Sequence, residues 1–453
     1  MELLEDSIIK NKKRFFPNSV IFTLILFFVF LTGSSSAIET HEFVLKNGLK
    51  VIILEDHKAP VATFQIWYRV GSTDEPKGKT GLSHLFEHMA FKGTERYGSK
   101  ELSKIVQKNG GIDNAYTTKD YTAYFQILPS DRIALSIDLE SDRMRNLLLR
   151  EEDLQYERAV VMEERRLRYE DDPEASLFEE VQLTAFKAHP YRWPVIGLMS
   201  DLKSITREDL FSYYRKFYTP SNAFIIVAGD VNPEEILKKI KDAFENIPSE
   251  NIPQRDFTEE PPQRGEKRIY LKKEAEVPYL LIAYHVPGFP HEDAAGLDIL
   301  SAILTGKSGR LYKKIISEKK LAASVDASYS GFNRFPYLFF FDGVPLQGKD
   351  IQELEKAIYD VIDEIKNSPP SERELEKAKN QIEAAFIMEM DSVYSMARLI
   401  GTFELLGGWY LKDKYLDAIR AVTPEDIQRV ARKYLTEDNR TVGILIPLKE
   451  RTK

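Results

Sequence analysis

The chain has 453 residues, 43% hydrophobic and 30% charged, a balance that excludes a disordered protein and allows two or three domains at roughly 150 residues each. Its formal charge of -8 leaves no basic footprint for nucleic acid or an anionic membrane surface. It contains no cysteine, which removes disulfides, thiolate metal sites and cysteine nucleophiles and leaves histidine and carboxylates as metal ligands.

At the N-terminus, Lys10, Lys12, Lys13 and Arg14 precede the apolar run VIFTLILFFVFLT and the small residues of GSSSA. That order is the pattern of a secretory signal peptide over 1–37, with cleavage expected after Ala37. The run is shorter than the roughly 20 residues a spanning helix needs, so a retained membrane anchor is the lesser alternative. A periplasmic or secreted protein is therefore expected, without stable membrane insertion once the leader is removed.

Beyond the leader, KVIILED, VATFQIWYRV, TAYFQILP and AFIIVAG read as strands, and SHLFEHMAF, KELSKIVQKNG, RIALSIDLESDRMRNLL and REEDLQYERAVVMEERRLRY as helices. Strands and helices do not alternate one for one. The pattern predicts an α+β fold, with helices packed on a mostly antiparallel sheet. A Pro-rich, aperiodic stretch, IPSENIPQRDFTEEPPQRGE, reads as a linker. It sets expected domains at 38–250 and 267–453, joined by 251–266.

The two halves resemble each other. SITREDLFSYYRKFYTPSN matches AVTPEDIQRVARKYLTEDN, with Thr206, Asp209, Arg215, Lys216 and Asn222 recurring as Thr423, Asp426, Arg432, Lys433 and Asn439. So long a repeat indicates a duplicated domain facing its copy across a cleft, not a solenoid.

The first half carries GLSHLFEHMAFKG at 81–93. On a helix His84 and His88 share a face one turn apart and offer two imidazole nitrogens to one metal ion. Glu87 is offset around the helix, badly aimed as a third ligand and well placed to take a proton from water. This is the HExxH arrangement in reverse order. With seven histidines in the chain, composition supplies H-x-x-E-H by chance on the order of 0.01 times. A catalytic zinc site has three protein ligands and an open position. The helix ERAVVMEERRLRYEDDP can supply the third: Glu157 and Glu164 are seven apart and share a face, while Glu163 points away. Glu164 can reach the metal and Glu157 can support it, although alone such a run reads as a solvated charged helix.

HLFEH, AFKGT and the downstream E-R-x-V-V-x-E-E resemble the pitrilysin/insulinase family of inverted zinc metallopeptidases. Its two-domain members include mitochondrial processing peptidase subunits and bacterial processing proteases. The resemblance implies His84, His88 and Glu164 as ligands of one zinc ion per chain, Glu87 as general base and Glu157 as supporting carboxylate. It also implies that GGIDNAYTTKDYTAYF is a substrate-binding edge strand, with Asn114 and Ala115 offering backbone pairing to an extended peptide; from the residues alone this is a Gly-punctuated strand whose edge suits β-augmentation.

In the second half, GLDILSAIL places Ile299, Ala302 and Ile303 where His84, Glu87 and His88 stand. In the family this domain carries an Arg and a Tyr that bind substrate. GKSGRLYKKIISEKKLAASV keeps Arg310 but has Ala323 at the Tyr position, with Tyr312 and Tyr329 nearby. His189 reads as a loop residue in a structural or solvated role, and His41, His57, His285 and His291 receive no role.

These features together predict a zinc endopeptidase acting on peptides or unfolded protein segments, working as a homo- or heterodimer. The alternative is a non-catalytic or co-catalytic subunit of a hetero-oligomeric peptidase.

Overall fold

Alternate apolar residues that face opposite sides of a strand need two covers, one for each face of the sheet. The way this chain supplies them sets its architecture. The computed structural model describes residues 39–448 apart from 251, 253, 254 and 256. The signal peptide read at 1–37 lies outside the described residues. Among the described residues, no helix is long and apolar enough to cross a membrane.

The first half runs β1 (Glu39–Val44), β2 (Lys50–Glu55), β3 (Val61–Tyr68), α1 (Leu82–Met89), α2 (Glu101–Lys108), β4 (Ile112–Thr117), β5 (Thr122–Pro129), α3 (Ala134–Asn146), α4 (Glu151–Arg165), α5 (Pro173–Ala185), α6 (Met199–Ser204), α7 (Arg207–Phe217), β6 (Ala223–Gly229) and α8 (Pro233–Phe244). The second runs β7 (Lys267–Glu274), β8 (Tyr279–Val286), α9 (Ala294–Leu304), β9 (Ala322–Tyr329), β10 (Tyr337–Pro345), α10 (Ile351–Asn367), α11 (Glu372–Glu389), α12 (Val393–Leu405), α13 (Leu411–Ala421), α14 (Pro424–Tyr434) and β11 (Arg440–Leu448). It is a two-domain α+β fold in which helices flank two sheets.

The sheets have the strand orders β1-β2-β6-β3-β5-β4 and β7-β11-β8-β10-β9. Removing β1 makes the two orders identical. In each, one pair is parallel, β2 with β6 and β7 with β11, and the other pairs are antiparallel. The sequence repeat falls on equivalent pieces of chain. Thr206 with Asp209 and Thr423 with Asp426 form matching capping boxes at the starts of α7 and α14. Past each helix, Asn222 donates to the carbonyl of Phe217 and Asn439 to that of Tyr434, tying helix end to strand start.

One face of the first sheet, including Val51, Ile53, Phe64 and Ile66, packs under helices of its own half. The opposite face presents Ile52, Leu54, Trp67, Phe224 and Ile226 to Met396, Ala397 and Ile400 of α12, a helix of the second half. The exchange is reciprocal: Leu177, Val181 and Ala185 of α5 cover Leu281, Ala283, Leu338 and Leu445 of the second sheet. Small residues permit this closeness. A Cβ on Gly401 of α12 would lie 2.5 Å from the Trp67 ring, and one on Gly443 of β11 would strike Val181 of α5. Fully burying each large apolar side chain contributes roughly 1.5–3 kcal/mol, so these two faces hold the halves together.

The stretch between the halves is fastened at points. The Arg255 guanidinium bonds Asp74 and the Asn222 side chain, and the Glu260 carboxylate accepts the backbone N–H groups of Lys187, Ala188 and His189.

Candidate metal centre

Helix α1 starts at Gly81, whose φ of 87° lies in the left-handed region and where a Cβ would sit 2.5 Å from the Ile196 carbonyl oxygen. The Glu75 carboxylate accepts the N–H groups of Gly81 and Ser83 at 2.9 and 2.8 Å, placing an acceptor at the positive end of the helix. Burial pushes Glu75 up to about 8 against those bonds. From this start, Leu82, Leu85, Phe86 and Met89 turn into the core, and the remaining face turns His84 and His88 toward α4.

Helix α4 buries Leu154, Glu157, Val161 and Arg165. That phase brings Glu164 opposite the histidines: its Oε2 lies 3.8 Å from His84 Nε2 and 3.6 Å from His88 Nε2. One ligand atom from each of the three residues lies within 4.8 Å of the others. Glu157 Oε2 stands 2.9 Å from His88 Nδ1, so that nitrogen carries the proton and Nε2 is left as the free donor atom. Glu163 is exposed and pairs with Arg166, away from the cluster. The donor set, two imidazole nitrogens and a carboxylate oxygen, fits zinc, and the support of His88 by Glu157 fits a ligand held by an outer carboxylate.

The electrostatics match that fit. Burial, reinforced by neighbouring His88, pulls His84 down to about 4. Burial also pulls on His88, but its bond to Glu157 and the nearby Glu164 carboxylate outweigh it and hold the imidazole up at about 9. A ligating imidazole must be neutral, so a bound divalent cation displaces one proton here. Neighbouring His88, 3.6 Å away, holds Glu164 below the usual carboxylate range. Burial lifts Glu87 despite the bond its Oε2 accepts from Thr117 Oγ1 at 2.5 Å. A raised carboxyl pKa moves toward the range useful to a general base.

Three partners carried no role in the sequence reading. Lys92, of the AFKGT stretch, is buried and bonds Glu157. Thr117 closes β4 and holds Glu87. Arg168 reaches Glu164 at 3.0 Å. Only Arg168 announced itself by spacing, four residues beyond its acid on a helix; the others arrive through the fold.

Asn114 and Ala115 lie on β4, an outer strand of the first sheet that ends at Thr117. The Ala115 N–H donates to the Asn114 side chain at 2.9 Å. Arg310 is not brought to this cluster. Its guanidinium forks onto Glu374 at 2.9 and 3.0 Å, in a cleft lined with Lys313 and Glu318. Ala323 lies exposed on β9, the outer strand of the second sheet. Tyr329 donates to the Pro287 carbonyl. His189 is buried, with Nδ1 accepting the Tyr191 N–H, a structural placement. A cavity of about 650 Å³ between the halves starts at Thr118, next to Thr117, and reaches Ala385, Phe386 and Arg398 across it.

The fold and cluster are those of a metallopeptidase class, and comparisons agree. A family model described as Insulinase (Peptidase family M16) matches residues 50–197, and one described as Peptidase M16 inactive domain matches 204–382. Zinc protease PqqE of Helicobacter pylori is 32% identical over 426 residues, covering 91% of this chain and 94% of that protein. The beta subunit of mitochondrial-processing peptidase from Lentinula edodes is 27% identical over 425 residues, covering 90% of each. The crystal structure of a protease from Helicobacter pylori superposes with a TM-score of 0.87 at 30% identity, covering 91% of this chain and all of that one. The chain belongs to the insulinase family of peptidases, peptidase family M16.

Proposed function

We propose that this chain is a zinc-dependent endopeptidase that hydrolyses extended peptides or unfolded protein segments. The observation that carries the reading is the convergence of His84, His88 and Glu164 on one point, with Glu87 beside it. Those three residues would hold one zinc ion, which when bound supplies Lewis acidity to a carbonyl and acidity to water. Glu87 takes a proton from the attacking water and returns it to the leaving amine. Thr117 fixes the Glu87 carboxylate, while Glu157, itself held by Lys92, fixes the His88 ring. Asn114 swings off the Ala115 N–H as an extended substrate pairs with β4.

A second reading, a co-catalytic subunit, is favoured by Ala323 at the family's Tyr position and by Arg310 being engaged with Glu374. In that reading a related chain in a dimer supplies the missing substrate contacts; one relative's name includes "subunit". The leader read at 1–37 directs the chain to the periplasm or the exterior.

The deciding experiment compares wild type with Glu87→Gln on a mixed peptide library, with zinc measured in both. Zinc should remain and turnover should fall on the order of 10²–10⁴-fold. Full activity in Glu87→Gln would sink the general-base role, and a wild-type chain inert alone but active with native extract would favour the subunit reading.

A further inference from the structure

We propose that Glu39, His41 and Glu55 form a second divalent-metal site, of zinc type, which fastens β1 to β2. In the antiparallel ladder Glu39 stands directly opposite Glu55, a like-charge pair that destabilises a sheet unless something lies between the two. His41, two residues along, projects from the same face. Its Nε2 lies 3.7 Å from Glu39 Oε1 and 4.0 Å from Glu55 Oε2, and one ligand atom of each residue lies within 4.8 Å of the others. These separations match the 3.8 and 3.6 Å of the first cluster. Ligand atoms about 2.0–2.1 Å from a tetrahedral ion stand roughly 3.3 Å apart, so small side-chain adjustments close the site.

Two observations go beyond a gathering of acids. His41 Nε2, the atom aimed into the cluster, is itself covered and has no hydrogen-bond partner, although 27% of the His41 side chain and 74% of Glu39 are exposed. The Glu55 carboxylate is also oriented from behind: its Oε1 bonds His57 Nε2 at 2.6 Å, His57 Nδ1 bonds Asp230 at 2.5 Å, and Asp230 accepts from Ser130 Oγ at 2.9 Å. Such outer layers fix ligands and tune their basicity. Among the described residues no lysine or arginine pairs with Glu39 or Glu55, whose partners are His41 and His57.

The location gives the ion a task. β1 is the one strand of the first sheet without a counterpart in the second, and as an edge strand it has a single neighbour. An ion shared by Glu39 and His41 of β1 and Glu55 of β2 adds a cross-strand tie where ladder bonds come from one side only. The site lies at the opposite edge of the sheet from β4; of the two ions expected in wild type, only the other rests on the catalytic reading.

The test uses the full chain, stripped with a chelator and titrated with Zn(II), with bound metal counted by elemental analysis after gel filtration. Wild type should hold two ions per chain at roughly micromolar free metal. His41→Ala, and Glu39→Gln as a variant that disturbs no packing, should each hold one and keep their peptide cleavage, while His84→Ala should also hold one. Zinc should slow amide exchange over residues 39–44 about tenfold in wild type and His84→Ala but not in His41→Ala. An unchanged metal count in both His41→Ala and Glu39→Gln would overturn the proposal. So would a second ion seen only at millimolar zinc, which would be an adventitious ion only.

Discussion

Helices α1 and α9 sit at the same place in two sheets of the same strand order, yet one carries His84 and His88 and the other Ile299 and Ile303, both buried. The facing helices diverge in parallel. Leu154 of α4 and Leu375 of α11 occupy matching buried positions, and counting from them sets Ala378 and Ala385 where α4 has Glu157 and Glu164. One half keeps two imidazoles and two carboxylates facing one another; the other fills the same space with apolar or small side chains. Tolerance of both fillings shows that the fold rests on the sheet and its covers, leaving the α1–α4 contact free for chemistry.

The largest break in that comparison comes from making the first half resemble the second. His84→Ala, His88→Ala or Glu164→Gln should remove most of the zinc and the activity while leaving the fold, since the second half holds without these groups; elemental analysis and circular dichroism check both. Glu157→Gln should weaken zinc by roughly 10–100-fold, and Glu163→Gln should change nothing. Zinc loss on Glu163→Gln in place of Glu164→Gln would mean that α4 presents a different face.

Next comes a buried acid in the second half. Asp298 occupies the position of Ser83, and burial lifts it from 3.8 to about 7 against a bond from Tyr415. Its folded pKa lies above the unfolded value, so the folded chain binds the extra proton and stability falls as pH rises from about 4 to 7. Asp298→Asn should therefore raise stability by a few kcal/mol above pH 7 and by almost nothing below pH 4, read from urea midpoints at both pH values. A gain independent of pH would show that packing, not charge, is at issue.

Smaller effects test the likeness of the halves. Gly401→Ala and Gly443→Ala should each cost about 1–3 kcal/mol, because both press a methyl into the exchanged helix contacts. Thr206→Ala and Thr423→Ala should each cost about 0.5–2 kcal/mol and match one another, since their capping boxes are the same. Unequal melting shifts for Thr206→Ala and Thr423→Ala would show that the two halves have diverged in packing as well as in chemistry.

What could be read ahead follows from the range of each signal. The strands at 50–55 and 61–68, helix α1 and the phase of α4 announce themselves through local periodicity, and Glu157 with Glu164 on one face is plain arithmetic. The exchange of α5 and α12 left no such trace, because a helix that covers a distant sheet has the same amphipathic pattern as one that covers its own. Thr117 and Lys92 were hidden for the same reason: each meets its partner only after the chain has folded. His41 and His57 lie on or beside strands, where the four-residue spacing that marks His84 and His88 does not apply. Both stand two residues from a glutamate, Glu39 and Glu55, and that interval puts side chains on one face of a strand.

The crossed helices also bear on how the molecule comes into being. Each sheet borrows a cover from the other half, so a half made alone would show water a face that includes Trp67, Phe224 and Ile226. Two identical half-length ancestors could have met that need by lending each other the same helix, as in a domain-swapped pair. Joining them end to end would then fix the loan within one chain. The descendant cannot mature piecemeal: the first sheet stays half-clad until α12, near the end of the chain, has been made.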